Sequence, residues 1–105
     1  MDISKLEEFI NGEHDRLLKF YKITNKKELR HLIALKLVEE IGELSEELLS
    51  LDKIQRIEKL NKHKSEIDDE IADVVITALL LAENLDVNIK RALQAGIKKR
   101  KERNY

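Results

Sequence analysis

Five acidic residues in two short runs are the part of this chain best placed to do chemistry. Glu39-Glu40-Ile41-Gly42-Glu43 is followed, after a spacer of residues 44–69, by Glu70-Ile71-Ala72-Asp73. Side chains three or four apart on a helix project from one face. Glu40 therefore pairs with Glu43, and Glu70 with Asp73. Two such helices packed side by side would bring four carboxylates together. A cluster of that kind repels itself unless a cation neutralises it, and all-oxygen ligation suits Mg²⁺ or Mn²⁺.

The elements that must carry these acids read as helices throughout. The first is expected over Ile3 to Ile23, with Ile3, Leu6, Ile10, Leu17 and Tyr21 as its apolar stripe and a weak point at Gly12. Asn25 with Glu28 has capping-box spacing, so the second helix should start there. It should run to about Leu51 and turn Ile33, Leu37, Ile41, Leu44, Leu48 and Leu51 to a core. Between Asp52 and Lys64 the residues permit a short helix through Ile54, Ile57 and Leu60, ending in a connection at Asn61-Lys62-His63-Lys64. Ser65 with Asp68 signals a new N-cap and a helix from Glu66 to Leu85. Asp86 or Asn88 would cap the last helix, which runs into a basic tail.

On the third of these helices Ile67, Ile71, Val74, Ala78, Leu81 and Leu85 define the expected core face. Glu70 borders it, and Glu66, Asp73, Thr77 and Asn84 continue a polar edge, while Asp69 points away. On the second, Glu40 lies at the edge of the apolar stripe. Both acid pairs thus sit beside the core, where a merely solvated charged face would not be placed. Glu7, Glu8, Glu46, Glu58 and Asp69 fit the solvated-face reading instead. Ile76 and Leu80 lie on a different side from the main stripe, and a helix apolar on several sides is buried on several sides. In so short a chain this implies a homodimer or homotetramer built around that helix.

Composition narrows the class. The chain has 105 residues, no proline, no cysteine and three glycines. That describes one all-α domain over residues 1–105, expected as a bundle of four to five helices with antiparallel central helices. The lack of cysteine excludes disulfides and thiolate metal sites. MDISKLEEF lacks the basic start and apolar run of a signal peptide. The longest apolar stretch, Val74 to Ala82, is too short to span a bilayer. A soluble, cytoplasmic protein is expected. The formal charge of −1 divides into +6 from Asn88 onward and −7 before it. An acidic body with a basic tail suits a site handling both a cation and an anion.

Lys36-Leu37-Val38-Glu39-Glu40-Ile41-Gly42-Glu43-Leu44, followed by Glu70-Ile71-Ala72-Asp73-Val74-Val75, closely resembles the MazG-like group of all-α nucleoside triphosphate pyrophosphohydrolases. That superfamily includes dimeric dUTPases, dCTP pyrophosphatases and phosphoribosyl-ATP pyrophosphatase. The likeness continues through Leu79-Leu80-Leu81-Ala82 and Val87 to Ala92, covering most of the chain after Leu29. It implies hydrolysis between the α and β phosphates, giving a nucleoside monophosphate and pyrophosphate. It also implies that Glu40, Glu43, Glu70 and Asp73 hold Mg²⁺ and that Glu39 orients or deprotonates the attacking water. Mg²⁺ usually takes one or two protein carboxylates, so four suggest more than one ion. The family's C-terminal K-x-x-x-N-x-x-R-Y pattern is matched at Arg103, whereas Gly96 stands at the lysine and Arg100 at the asparagine. Lys98, Lys99 and Arg100, a turn or less away, would supply the missing charge for substrate binding; Lys101 reads as a solubilising helix end.

For base stacking the sequence offers Phe9, Phe20, Tyr21 or Tyr105; Thr77 and Asn84 would contact a ribose or base, or line a subunit seam. His14, His31 and His63 read as surface or partly buried polar residues. Three rival classes remain in view. A di-iron bundle needs Glu-x-x-His on two helices, and only Glu28-Leu29-Arg30-His31 supplies one. A catalytically weak or inactive MazG-like module would bind nucleotide or a partner without hydrolysis. A nucleic-acid binder resting on the basic tail ranks below that module, because the remainder is acidic and no docking motif is present.

Overall fold

The computed structural model describes the backbone of residues 1–51 and 57–103 and the side chains of 1–51 and 66–103. These residues form four α-helices and no strand: α1 (Ile3–Phe20), α2 (Lys26–Leu51), α3 (Ile57–Asn84) and α4 (Ile89–Glu102).

Local chemistry explains most of the boundaries. The Lys5 N–H donates to Asp2 Oδ1 at 2.9 Å and opens α1. The helix passes through Gly12 without a break and stops at Phe20, three residues before the expected end. Lys22 takes φ 55°, and the Ile23 N–H returns to the Leu18 carbonyl at 2.9 Å, closing the helix with a left-handed residue that is not glycine. Asn25 Oδ1 accepts from the Lys27 N–H at 2.8 Å just ahead of α2, which ends at Leu51 as expected.

The connection expected at Asn61–Lys64 and the start at Ser65 are not found. α3 is already helical from Ile57 and runs straight through both. No glycine or proline interrupts that stretch, and capping spacing has no effect where the preceding turn is itself helical. Residues 52–56, with Ile54, lie outside the described residues. α3 closes as α1 does, with Asp86 at φ 57° and Val87 N–H on the Ala82 carbonyl at 2.9 Å. Asn88, not Asp86, caps α4 by accepting from the Arg91 N–H at 2.9 Å.

α2 and α3 pack antiparallel. Lys26 meets Asp86, Arg30 meets Asn84 and Glu40 meets Glu70, so one residue number falls as the other rises. α1 crosses the end of this hairpin, where Asn11 bonds Glu83 at 2.8 Å. Ile10, Leu29, Ile33, Leu80 and Ile89 form the buried core there.

The inward face of α3 departs from expectation. Thr77, Leu80 and Asn84 are buried, whereas Ile71, Ala78 and Leu85 are exposed and Ile67, Val74 and Leu81 only half-buried. On α2, Ile41 and Leu48 are likewise exposed. The strongest apolar stripe of α3 therefore lies outside the core of the single chain. The accessible surface is 8326 Å², against roughly 6,100 Å² for a compact monomer of this mass. The radius of gyration of 16.6 Å exceeds the roughly 13 Å of a compact domain of this length.

A methyl group at Gly12 would meet no atom within 4 Å. Gly12→Ala should therefore stabilise the protein by about 0.5–1 kcal/mol through helix propensity alone, read as a raised urea midpoint.

Candidate metal centre and its cleft

The antiparallel register brings the two acidic runs together. Carboxylate oxygens of Glu40, Glu43 and Glu70 all lie within 4.8 Å of one another. Glu40 is buried at 5% exposure, an unusual position for an acid. Oε2 of Glu40 and Oε2 of Glu70 are shut off from solvent and have no hydrogen-bond partner. Buried acceptors without partners are costly, and a hard cation with oxygen preference would satisfy both. The residues present thus fit a divalent metal. Asp73 stands beside the triplet rather than within it, close enough to act on Glu70 electrostatically.

Lys36 was not singled out by spacing, yet it belongs to this site. Its Nζ lies 3.2 Å from Glu40 Oε1 and 3.8 Å from Glu39 Oε1. The bond to Glu40, followed by the charge of Glu39, holds the lysine more firmly protonated than usual. The available signal was its place four residues before Glu40, one helical turn away. Glu39 itself faces solvent.

Burial pushes the Glu70 carboxyl above the ordinary range, and the charges of Glu43, Glu40 and Asp73 push it further. Its protonated form is thus the better accommodated in the fold. The stability it contributes is full below the ordinary glutamate value of 4.5 and is lost as pH rises through the raised folded value. Metal-free Glu70→Gln protein should therefore melt higher than wild type at neutral pH, with the difference shrinking toward pH 4.5. Adding a divalent cation to wild type should reduce the same difference, because metal and proton compete for these oxygens.

A cleft of about 500 Å³ opens from the acids into the bundle. Glu39, Glu40, Asp73 and Lys36 line one part, and Leu17, Tyr21, Leu32, Ile76, Thr77 and Glu13 line the rest. Of the aromatic candidates, Tyr21 lines the cleft; Phe9 and Phe20 are exposed on α1 outside it, and Tyr105 lies outside the described residues. Thr77 faces the cleft as well.

Asn84 does not. It is fully buried, its Oδ1 accepting from Arg30 Nε at 2.9 Å and its Nδ2 donating to the Lys26 carbonyl at 3.0 Å. Those two bonds orient the amide, so Nδ2 also donates to His14 Nε2 at 3.0 Å and the imidazole proton sits on Nδ1. His14 is accordingly a buried structural residue, more deeply placed than the surface or partly buried position expected of it. His31 is exposed, and the side chain of His63 lies outside the described residues.

Lys98, Lys99, Arg100 and Arg103 all sit on or at the end of α4, which packs on α3 through Ile89. None of the four lines the acidic cleft of its own chain. No helix among the described residues is long and apolar enough to cross a membrane.

No match was found among curated proteins or solved structures. A family model described as MazG-like matches residues 32–104, which includes both acidic runs, the second half of the cleft-forming hairpin and α4. With that match spanning well over half its length and an all-helical fold beneath it, the chain belongs to the MazG-like family.

Proposed function

We propose that this protein is a Mg²⁺-dependent nucleoside triphosphate pyrophosphohydrolase, cleaving between the α and β phosphates of a (deoxy)nucleoside triphosphate. The observation that carries this reading is the carboxylate triplet with two buried, unpartnered oxygens at a cleft of small-molecule size.

Glu40, Glu43 and Glu70 would hold the metal, with Asp73 completing the set. The cation, with Mn²⁺ as a substitute, would neutralise phosphate oxygens and lower the pKa of a water. Glu39, exposed beside the triplet, would orient that water or take its proton. Lys36 neutralises Glu40 when metal is absent and is free to turn to a phosphate when it is present. The exposed apolar surfaces of α2 and α3 support assembly as a homodimer or homotetramer. In such an assembly Lys98, Lys99, Arg100 and Arg103 would meet the substrate phosphates from a neighbouring copy. Nucleic acid and membrane are not part of this reading.

The test is pyrophosphate release across a panel of canonical and modified nucleoside triphosphates with and without Mg²⁺, using Glu43→Gln and Asp73→Asn as controls. Release that needs both metal and the carboxylates supports the reading. Equal turnover by correctly folded Glu43→Gln protein would sink it. The basic residues standing outside the cleft favour one second reading, a nucleotide-binding module of little or no activity. It would show metal-dependent nucleotide binding and no pyrophosphate.

A further inference from the structure

Away from its acids the cleft has a composition that the metal chemistry does not explain. Its walls there are Leu17, Tyr21, Leu32 and Ile76, an apolar slot with one aromatic ring. Into this slot α1 presents a charged group, Glu13. Both of its carboxylate oxygens accept from Arg16, at Oε1 from Nε and, at 3.0 Å, at Oε2 from a terminal guanidinium nitrogen. The Glu13 side chain remains 21% exposed. The Arg16 hydrogen bond holds its carboxyl below the ordinary glutamate range, so at neutral pH Glu13 is ionised and can only accept hydrogen bonds.

We infer that this slot takes the base of the nucleotide and that Glu13 selects bases carrying an exocyclic amine. Adenine, cytosine and guanine each present an amino donor on an edge, whereas uracil and thymine present carbonyl oxygens around a single N–H. A fixed carboxylate attracts the first group and repels the carbonyls of the second. Arg16 keeps the carboxylate charged and limits its rotation, which turns a surface acid into a defined acceptor. A mainly apolar wall with the buried Thr77 hydroxyl, at 7% exposure, and the Tyr21 phenol suits a flat ring with polar edges. Continuity supplies the orientation, because Lys36, Glu39 and Asp73 line the same cleft and are the end to which phosphates would go.

This inference rests on the nucleotide reading above, and its test separates the two. Binding of CMP, AMP and GMP should be compared with UMP and TMP by calorimetry in Mg²⁺, for wild type and Glu13→Gln, alongside pyrophosphate release from the corresponding triphosphates. The amino bases should bind at least about tenfold more tightly to wild type, since the carboxylate gains a hydrogen bond from an amine and is repelled by a carbonyl oxygen in the wrong complex. Glu13→Gln offers an amide donor as well as an acceptor, so it should bring the ratio close to one, mainly by improving UMP and TMP. A preference in binding without any hydrolysis would uphold the base slot and defeat the hydrolase reading. Hydrolysis with uracil and thymine nucleotides used as well as the others would overturn the slot and leave the hydrolase reading standing. A preference that survives unchanged in Glu13→Gln, or no nucleotide binding at all, would also overturn it.

Discussion

Glu40→Gln is expected to lower Mg²⁺-dependent pyrophosphate release by about a hundredfold or more while leaving the fold intact. Changes to groups that merely support a metal ligand typically cost 10–100-fold, so loss of a proposed ligand from the triplet should cost at least as much. Glutamine keeps the volume of this buried side chain and removes its charge. In the metal-free protein the substitution relieves repulsion with Glu43 and Glu70, although it also takes the partner from Lys36. Thermal stability without metal should therefore hold or rise while activity collapses. The measurement is a paired one, of turnover at saturating Mg²⁺ and of melting temperature in chelator. Wild-type turnover in the variant would remove Glu40 from the chemistry.

Asn84→Leu should destabilise the protein by about 3 kcal/mol. Leucine has the same number of side-chain heavy atoms, but its methyl groups are bulkier than the amide, so overpacking adds to the polar cost. It strands His14 Nε2 in a buried position and Arg30 Nε and the Lys26 carbonyl in part-buried ones. Each buried group left without a partner costs about 1–3 kcal/mol, partly recovered where water can enter. The denaturant midpoint should fall with little change in slope. Because Asn84 does not line the cleft, turnover per folded molecule should persist. A loss below about 1 kcal/mol would mean that water replaces the amide at little cost.

The acid runs were legible because helical spacing and antiparallel packing predict that Glu40, Glu43, Glu70 and Asp73 converge; the first three do, and Asp73 stands beside them. Asn25 and Asn88 were legible for a similar reason, each having a side chain that satisfies a helix start. The inward face of α3 was not. Hydrophobic periodicity picks out Ile67, Ile71, Val74 and Ala78, while the chain's own core instead takes Thr77, Leu80 and Asn84. Two of those three are polar, and Asn84 is buried on hydrogen bonds to partners 54 to 70 positions away. No local window contains that information. Ser65-Glu66-Ile67-Asp68 misled because capping spacing also occurs inside continuous helices. Lys36 and Glu13 went unread because lysine and glutamate are so common here that only three-dimensional placement separates them from solvated residues.

The antiparallel hairpin is gripped at one end and carries its acids toward the other. Leu29, Ile33, Leu80 and Asn84 lie where α1 crosses it, and beyond Glu40 no described residue of α2 is buried. Glu70 lies 14 residues along α3 from Asn84, roughly 20 Å at helical rise. Backbone amides should therefore exchange with deuterated solvent in a gradient, slowest around 29–33 and 80–84 and faster around 43–48 and 66–72. A divalent ion drawing Glu40, Glu43 and Glu70 together would act as a cross-brace on the thinly supported end and flatten that gradient. Loading the metal would then have a mechanical effect as well as a chemical one, stiffening the two helices across which the reaction is proposed to occur.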